Sequence, residues 1–191
     1  IRCVSLSTYD TLRVQASEIA LKGKFDSRII HLDDYKSDLR HPRAINNESA
    51  ARIILLHARL TGDFTISRMM VDLKVGFDKL KMDFPSSLHD NNINGLILLL
   101  RFFMYEKASS LSSYELNELI KLSLDISSFV SNIASHPSPE GLNLISEHDE
   151  TNDSDHEDSE FLDDNDGSYI SSQYVLSCAW RAVKETFLLI E

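Results

Sequence analysis

Cysteine, proline and glycine are all scarce in this chain of 191 residues, with two, four and six copies respectively. Each shortage excludes something. Cys3 and Cys178 stand nearly a chain length apart, too few and too distant for a disulfide framework or a thiolate metal site. Reduced thiols of a cytosolic or nuclear protein are the expectation, and the cytoplasm is the expected location. So little glycine and proline, beside 42% hydrophobic residues, disfavours a turn-rich all-β fold and favours helices. Long apolar runs are missing as well. The longest, "GLILLLRFFMY", falls short of the roughly 20 residues that cross a bilayer, and it contains Arg101.

Sequence fingerprints of enzymes are equally absent. There is no Walker loop, no dinucleotide-binding glycine pattern and no His-Glu-x-x-His. Nothing resembles the Gly-rich strand–helix turn at which a Rossmann-type methyltransferase or dehydrogenase seats its cofactor. No catalytic residue, cofactor or metal is therefore expected. With no signal peptide in view, the sequons at Asn47 and Asn152 are read as chance matches. Ile1 in first place, and an apolar pattern still running at Glu191, are what a piece of a longer protein would show.

Basic charge is lacking as a field, although the acidic total misleads. The formal net charge is −11, yet eleven acidic residues and no Lys or Arg lie between Glu147 and Asp166. Without them, 19 acidic residues face 19 basic ones. The remainder is electrically balanced, so no broad nucleic-acid-binding surface announces itself.

What is present is helical periodicity. Thr8–Lys22 carries Leu12, Ala16, Ile19 and Ala20 at helical spacing, with Gly23 as a stop. Asp26–Arg40 is a weaker helix marked by Ile29, Ile30 and Leu39. Asn47–Leu60 follows a good capping residue and closes at Thr61-Gly62. Asp63–Phe84 places Ile66, Met69, Met70, Leu73, Phe77 and Leu80 on one face, and Pro85 ends it. Ile93–Tyr105 is apolar nearly all round, which predicts burial on both sides. Ser112 and Glu115 fit a capping box opening a helix whose stripe includes Leu116, Leu119, Leu122, Ile126 and Phe129. No strand pair is convincing. Helices of four to six turns joined by short loops predict an all-α, HEAT/armadillo-like helical-repeat solenoid fragment.

The stretch from His136 to Ser172 breaks this pattern, being acidic and poor in apolar residues. Its composition predicts a disordered acidic insertion, giving a helical segment over 1–136, the insertion over 137–170, and a final helix from 171 to 191. "LDDNDG" imitates a calcium loop, but with Gly167 in sixth place the first falls on Leu162 and the twelfth on Gln173, so the ligand set fails. His148 and His156 would offer only a metal site without preset geometry. Ser146, Ser154 and Ser159 lie among acids as candidate phosphorylation sites.

The closing "VLSCAWRAVKETFLLIE" holds the only tryptophan. Ser177 and Lys184 sit two turns apart along the helix, about 10 Å, too far for a nucleophile and its base. Leu176, Ala179, Trp180, Val183, Phe187 and Ile190 recur at three- and four-residue steps, making Trp180 a candidate core anchor. Arg181, Lys184 and Glu185 fall on another flank, with Arg181 and Glu185 spaced for a local ion pair. That flank is either solvated or the place where a partner or RNA phosphates are met.

These residues resemble the signature region of the thyroid adenoma-associated protein (THADA) family, whose members share a Trp-Arg-x-x-Lys-Glu helix. "SPEGL" at Ser138–Leu142 resembles the short element that this family carries before a long polar insertion. The resemblance implies a very large HEAT/armadillo-type solenoid. It further implies a non-catalytic, regulatory partner of a tRNA 2′-O-methyltransferase catalytic subunit acting on the anticodon loop, with tRNA as a second potential ligand. Trp180, Arg181, Lys184 and Glu185 are the positions onto which the motif carries over. A helical-repeat protein–protein adaptor with no tRNA role is the alternative.

Overall fold

The computed structural model describes residues 10–23, 25–41, 43–82, 87, 92–135 and 172–191. The described residues are all-α, with no strand among them. The helices are α1 (Asp10–Lys22), α2 (Asp33–Leu39), α3 (Ala44–Thr61), α4 (Ile66–Met82), α5 (Asn94–Lys107), α6 (Ser113–Ala134) and α7 (Ser172–Ile190). Short 3-10 turns cover Ser27–Ile29 and Ala108–Ser110.

Local chemistry accounts for the ends. Gly62 closes α3 with φ 76°, a left-handed conformation that glycine takes without penalty, and its N–H donates to the Ala58 carbonyl. Ser112 opens α6 with the expected capping box, its hydroxyl accepting from the Glu115 N–H while the Glu115 carboxylate accepts from the Ser112 N–H. Two expectations change. Helix α3 begins at Ala44 rather than Asn47, after Arg43, whose side chain makes no cap bond. The helix expected over 26–40 is split, because Asp26 accepts from the Arg28 N–H to make a 3-10 turn and Ile30 is extended.

The helices pair into two layers. Asn94 and Arg101 of α5 meet Cys178 and Glu185 of α7 in the same order, so these two run parallel. Arg59 of α3 bonds Glu106 of α5, and Arg52 lies over Phe102, which makes α3 parallel to α5. In the opposite layer, α4 and α6 run parallel, with Ser67 bonded to Glu115 and Phe77 edge-on to Phe129. The layers are antiparallel: Phe64, just before α4, meets Phe103 near the end of α5. Thus α3–α4 and α5–α6 are successive helical hairpins, and α7 lies beside α5 in the same layer. This is the helical-repeat arrangement that the sequence predicts.

The core lies between the layers. Leu73, Leu80, Ile97, Leu99, Leu100, Leu119 and Ile126 are almost wholly withdrawn from water. Helix α5 is its axis, every residue from Asn94 to Leu100 being buried. Its N-terminal turn passes so close to α2 that a Cβ on Gly95 would stand 2.0 Å from the Leu39 carbonyl oxygen. Helix α1 lies along α3, and there the sequence expectation fails. Leu12 and Ile19 are exposed, and the buried side chain is Arg13, whose guanidinium reaches Glu48 at 3.0 Å.

Candidate functional site

Helix α7 carries every candidate site residue, and three different surfaces share it. The first is packed. Val175, Cys178, Ala179, Ala182, Thr186 and Leu189 are buried against α5 and α6. Most are small, which lets α7 approach closely, and the Thr186 hydroxyl shares a 2.7 Å hydrogen bond with Ser127 of α6.

The second surface is polar and faces α5 and α3. Glu185 Oε2 lies 2.8 Å from Arg101 Nη1, both side chains being mostly shielded from water. The Arg181 guanidinium donates to Asn47 Oδ1 at 3.0 Å. Asn47 itself is fully buried, and its Nδ2 donates to the carbonyls of Asp38, Leu39 and His41 at 3.1, 2.9 and 2.7 Å. Nearby, Asn94 Nδ2 donates to the Cys178 carbonyl at 3.2 Å, and Asn92 Nδ2 lies 3.6 Å from the Cys178 sulfur. These bonds tie the N-terminal ends of α3 and α5 to the middle of α7. Burial pushes the Tyr174 hydroxyl well above its ordinary range, with the Cys178 side chain adding to the shift. Burial likewise pushes the Cys178 thiol up, against smaller opposing effects from Tyr174 and Arg181. A thiol so held is an unreactive structural group.

The third surface is bare. Trp180 and Phe187 are 64% and 59% exposed, with Ile190 beside them. The sequence expectation of Trp180 as a core anchor is therefore corrected within this chain. The apolar arc of α7 is wider than one neighbour can cover, and α5 and α6 take the half centred on Ala182. Trp180 lies on the flank turned away from them.

The three charged candidates separate too. Arg181 and Glu185 do not pair with each other; each reaches to a different helix instead. Lys184 is exposed. Ser177 is also exposed. Asn47, Asn92 and Arg101 complete the cluster, and reading by spacing missed them. Arg101 carried a signal nonetheless, because a lone charge inside an apolar run needs an opposite charge when buried. Among the described residues, no group of three His, Cys, Asp or Glu side chains could hold a metal ion. No helix among them is long and apolar enough to cross a membrane. The acidic insertion, with Ser146, Ser154, Ser159, His148 and His156, lies outside the described residues, as do Cys3 and the "SPEGL" element.

Two-layer hairpins with a buried polar tie across three parallel helices define a protein of the all-α helical-repeat class. Residues 115–191, which span α6 and α7, match the family model described as THADA/TRM732, DUF2428. Over that stretch, about two-fifths of the chain, the sequence is similar to the THADA/TRM732 family. No curated protein and no solved structure matches the chain.

Proposed function

We propose that this chain is part of a non-catalytic helical-repeat scaffold that supports 2′-O-methylation of the tRNA anticodon loop by a partner methyltransferase in the cytoplasm. The observation that carries this reading is the family match, which falls on the α6–α7 pair where the Trp-Arg-x-x-Lys-Glu helix lies. The methyl donor and the reacting groups belong to the partner. This chain supplies a fixed surface, its helices held in register by Asn47, Arg101, Arg181 and Glu185. Arg181 and Glu185 act as positioning residues, since their polar groups are engaged inside the chain. Lys184 is the residue of the motif with its charge free to face a partner or a phosphate.

The test is an assay of anticodon-loop 2′-O-methylation in cells lacking the full protein, with wild-type and Lys184→Glu forms restored. Loss in the deletion and recovery with the wild type are expected. Unchanged methylation in the deletion sinks this reading. The alternative, a protein–protein adaptor with no tRNA role, gains support from the bare Trp180–Phe187 stripe, because large exposed aromatics suit protein contacts.

A further inference from the structure

Helix α7 is rolled away from where its own apolar residues would place it. With about 100° between successive residues, its apolar arc runs from Cys178 through Ala182 and Val183 to Trp180, roughly 200° around the helix. The middle of that arc lies near Ala179 and Ile190. Burial of apolar area alone would turn this middle toward the neighbouring helices. The buried face is instead centred between Ala182 and Val175, about 50° back toward the flank that carries Glu185 and Arg181. In consequence Trp180 and Phe187 stay largely in water, while the small Ala179, Ala182 and Thr186 are buried.

We propose that the polar ties at Glu185 and Arg181 set this roll, and so select which side chains α7 shows to a partner. Arg101 stands inside the apolar run of α5, where a shielded charge must find its opposite. Glu185 meets it at 2.8 Å from the observed flank. Turning the middle of the apolar arc inward would swing Glu185 off Arg101, and Arg181 off the Asn47 Oδ1 that it now meets at 3.0 Å. Glu185 Oε2 takes no aligned hydrogen bond, so its contact with Arg101 is one of charge. A pair so shielded adds little stability over packed apolar side chains. Its effect is to penalise the alternative packing, much as one buried polar residue fixes the register of a coiled coil. The Thr186–Ser127 bond selects less, because the Thr186 hydroxyl also bonds the Ala182 carbonyl of its own helix at 2.9 Å. Arg101, Asn47, Arg181 and Glu185 are in this sense positioning residues for Trp180, Lys184 and Phe187. That role holds whatever partner meets the stripe, and it does not depend on the tRNA reading.

Trp180 is the only tryptophan, so its fluorescence reports the roll directly. Two variants of the 191-residue chain are compared with the wild type. In the first, Arg101→Met, Arg181→Met and Glu185→Leu remove both ties while keeping side-chain bulk. In the second, Arg101→Glu with Glu185→Arg reverses the pair and leaves Arg181 on Asn47. The triple variant should keep its helical circular dichroism, emit at shorter wavelength than the wild type and be quenched less by acrylamide. The swapped variant should emit and be quenched as the wild type is. The proposal is overturned if the triple variant leaves Trp180 as open as before, since close packing of the small residues would then set the roll alone. It is also overturned if the triple variant unfolds, because the ties would then carry stability rather than orientation. A swapped variant that shifts as the triple one does overturns it as well.

Discussion

Helices α5 and α7 lie side by side and parallel in one layer, both rich in apolar residues, yet they meet water quite differently. From Asn94 to Leu100 α5 has no exposed residue, whereas α7 leaves Trp180 and Phe187 largely in solvent. The two differ in neighbours rather than in chemistry. Helix α5 is flanked by α3 and α7 and roofed by α4, while α7 has α5 and α6 on one side only. In a stack of hairpins, a side chain is buried by what stands next to its helix. A large apolar side chain is thus a promise of burial that only a neighbour can keep.

Substitutions can break or sharpen this contrast. The largest effect is expected at Leu99, which is fully withdrawn from water at the centre of α5. Leu99→Ala should cost about 2–5 kcal/mol in chemical denaturation. A cost under 1 kcal/mol would mean that the core is loose. Next comes Asn47→Ala, which strips three carbonyls and Arg181 of their partner. It should cost about 1–3 kcal/mol, with α7 becoming the first helix to lose amide-exchange protection. Ser112→Ala should cost about 1 kcal/mol through the lost cap of α6. The smallest effect is expected from Trp180→Ala, within about 0.5 kcal/mol for a side chain outside the packed face. A loss of several kcal/mol there would show that the bare stripe is covered in solution, and the contrast with α5 would vanish.

The capping box adds a dependence on pH. The Glu115 carboxyl is held below its ordinary range by the Ser67 hydroxyl first, then by the Ser112 N–H and hydroxyl. A carboxyl whose folded pKa is lowered stabilises the fold above the unfolded pKa. That contribution drains away as pH falls through the lowered folded value. The melting-temperature gap between wild type and Glu115→Gln should therefore be full near neutrality and close below about pH 4.5, the ordinary value. A gap that widens in acid would refute this account.

Much of this fold was legible from local patterns, because helices announce themselves through spacing, caps and stops. The stripe of α4, the all-round apolar α5, Gly62 and the Ser112–Glu115 box all read true. Partnership was less legible. The apolar arc of α7 includes both Ala182 and Trp180, and spacing alone does not say which half meets a neighbour. Arg181 and Glu185 at a four-residue step suggested a local pair, yet each found a distant partner, since a salt bridge shielded from water is set by packing and not by spacing. At Arg13, a charged residue took the buried place that the apolar pattern assigned to Leu12 and Ile19. The site was legible only as a helix bearing a motif; its tie through Asn47 joins residues 134 positions apart and has no local signature.

That tie also sets an order of events. The hairpins α3–α4 and α5–α6 are made of neighbours in sequence and can assemble through short, quickly closed loops. The hydrogen bond from Arg181 to Asn47 must await the arrival of α7 from the far end of the chain. Asn47→Ala should accordingly speed unfolding while leaving the folding rate almost unchanged, the kinetic mark of a contact formed after the transition state. In kinetic terms, Asn47 works as a late latch: it adds little to how fast the stack forms and much to how long it stays closed.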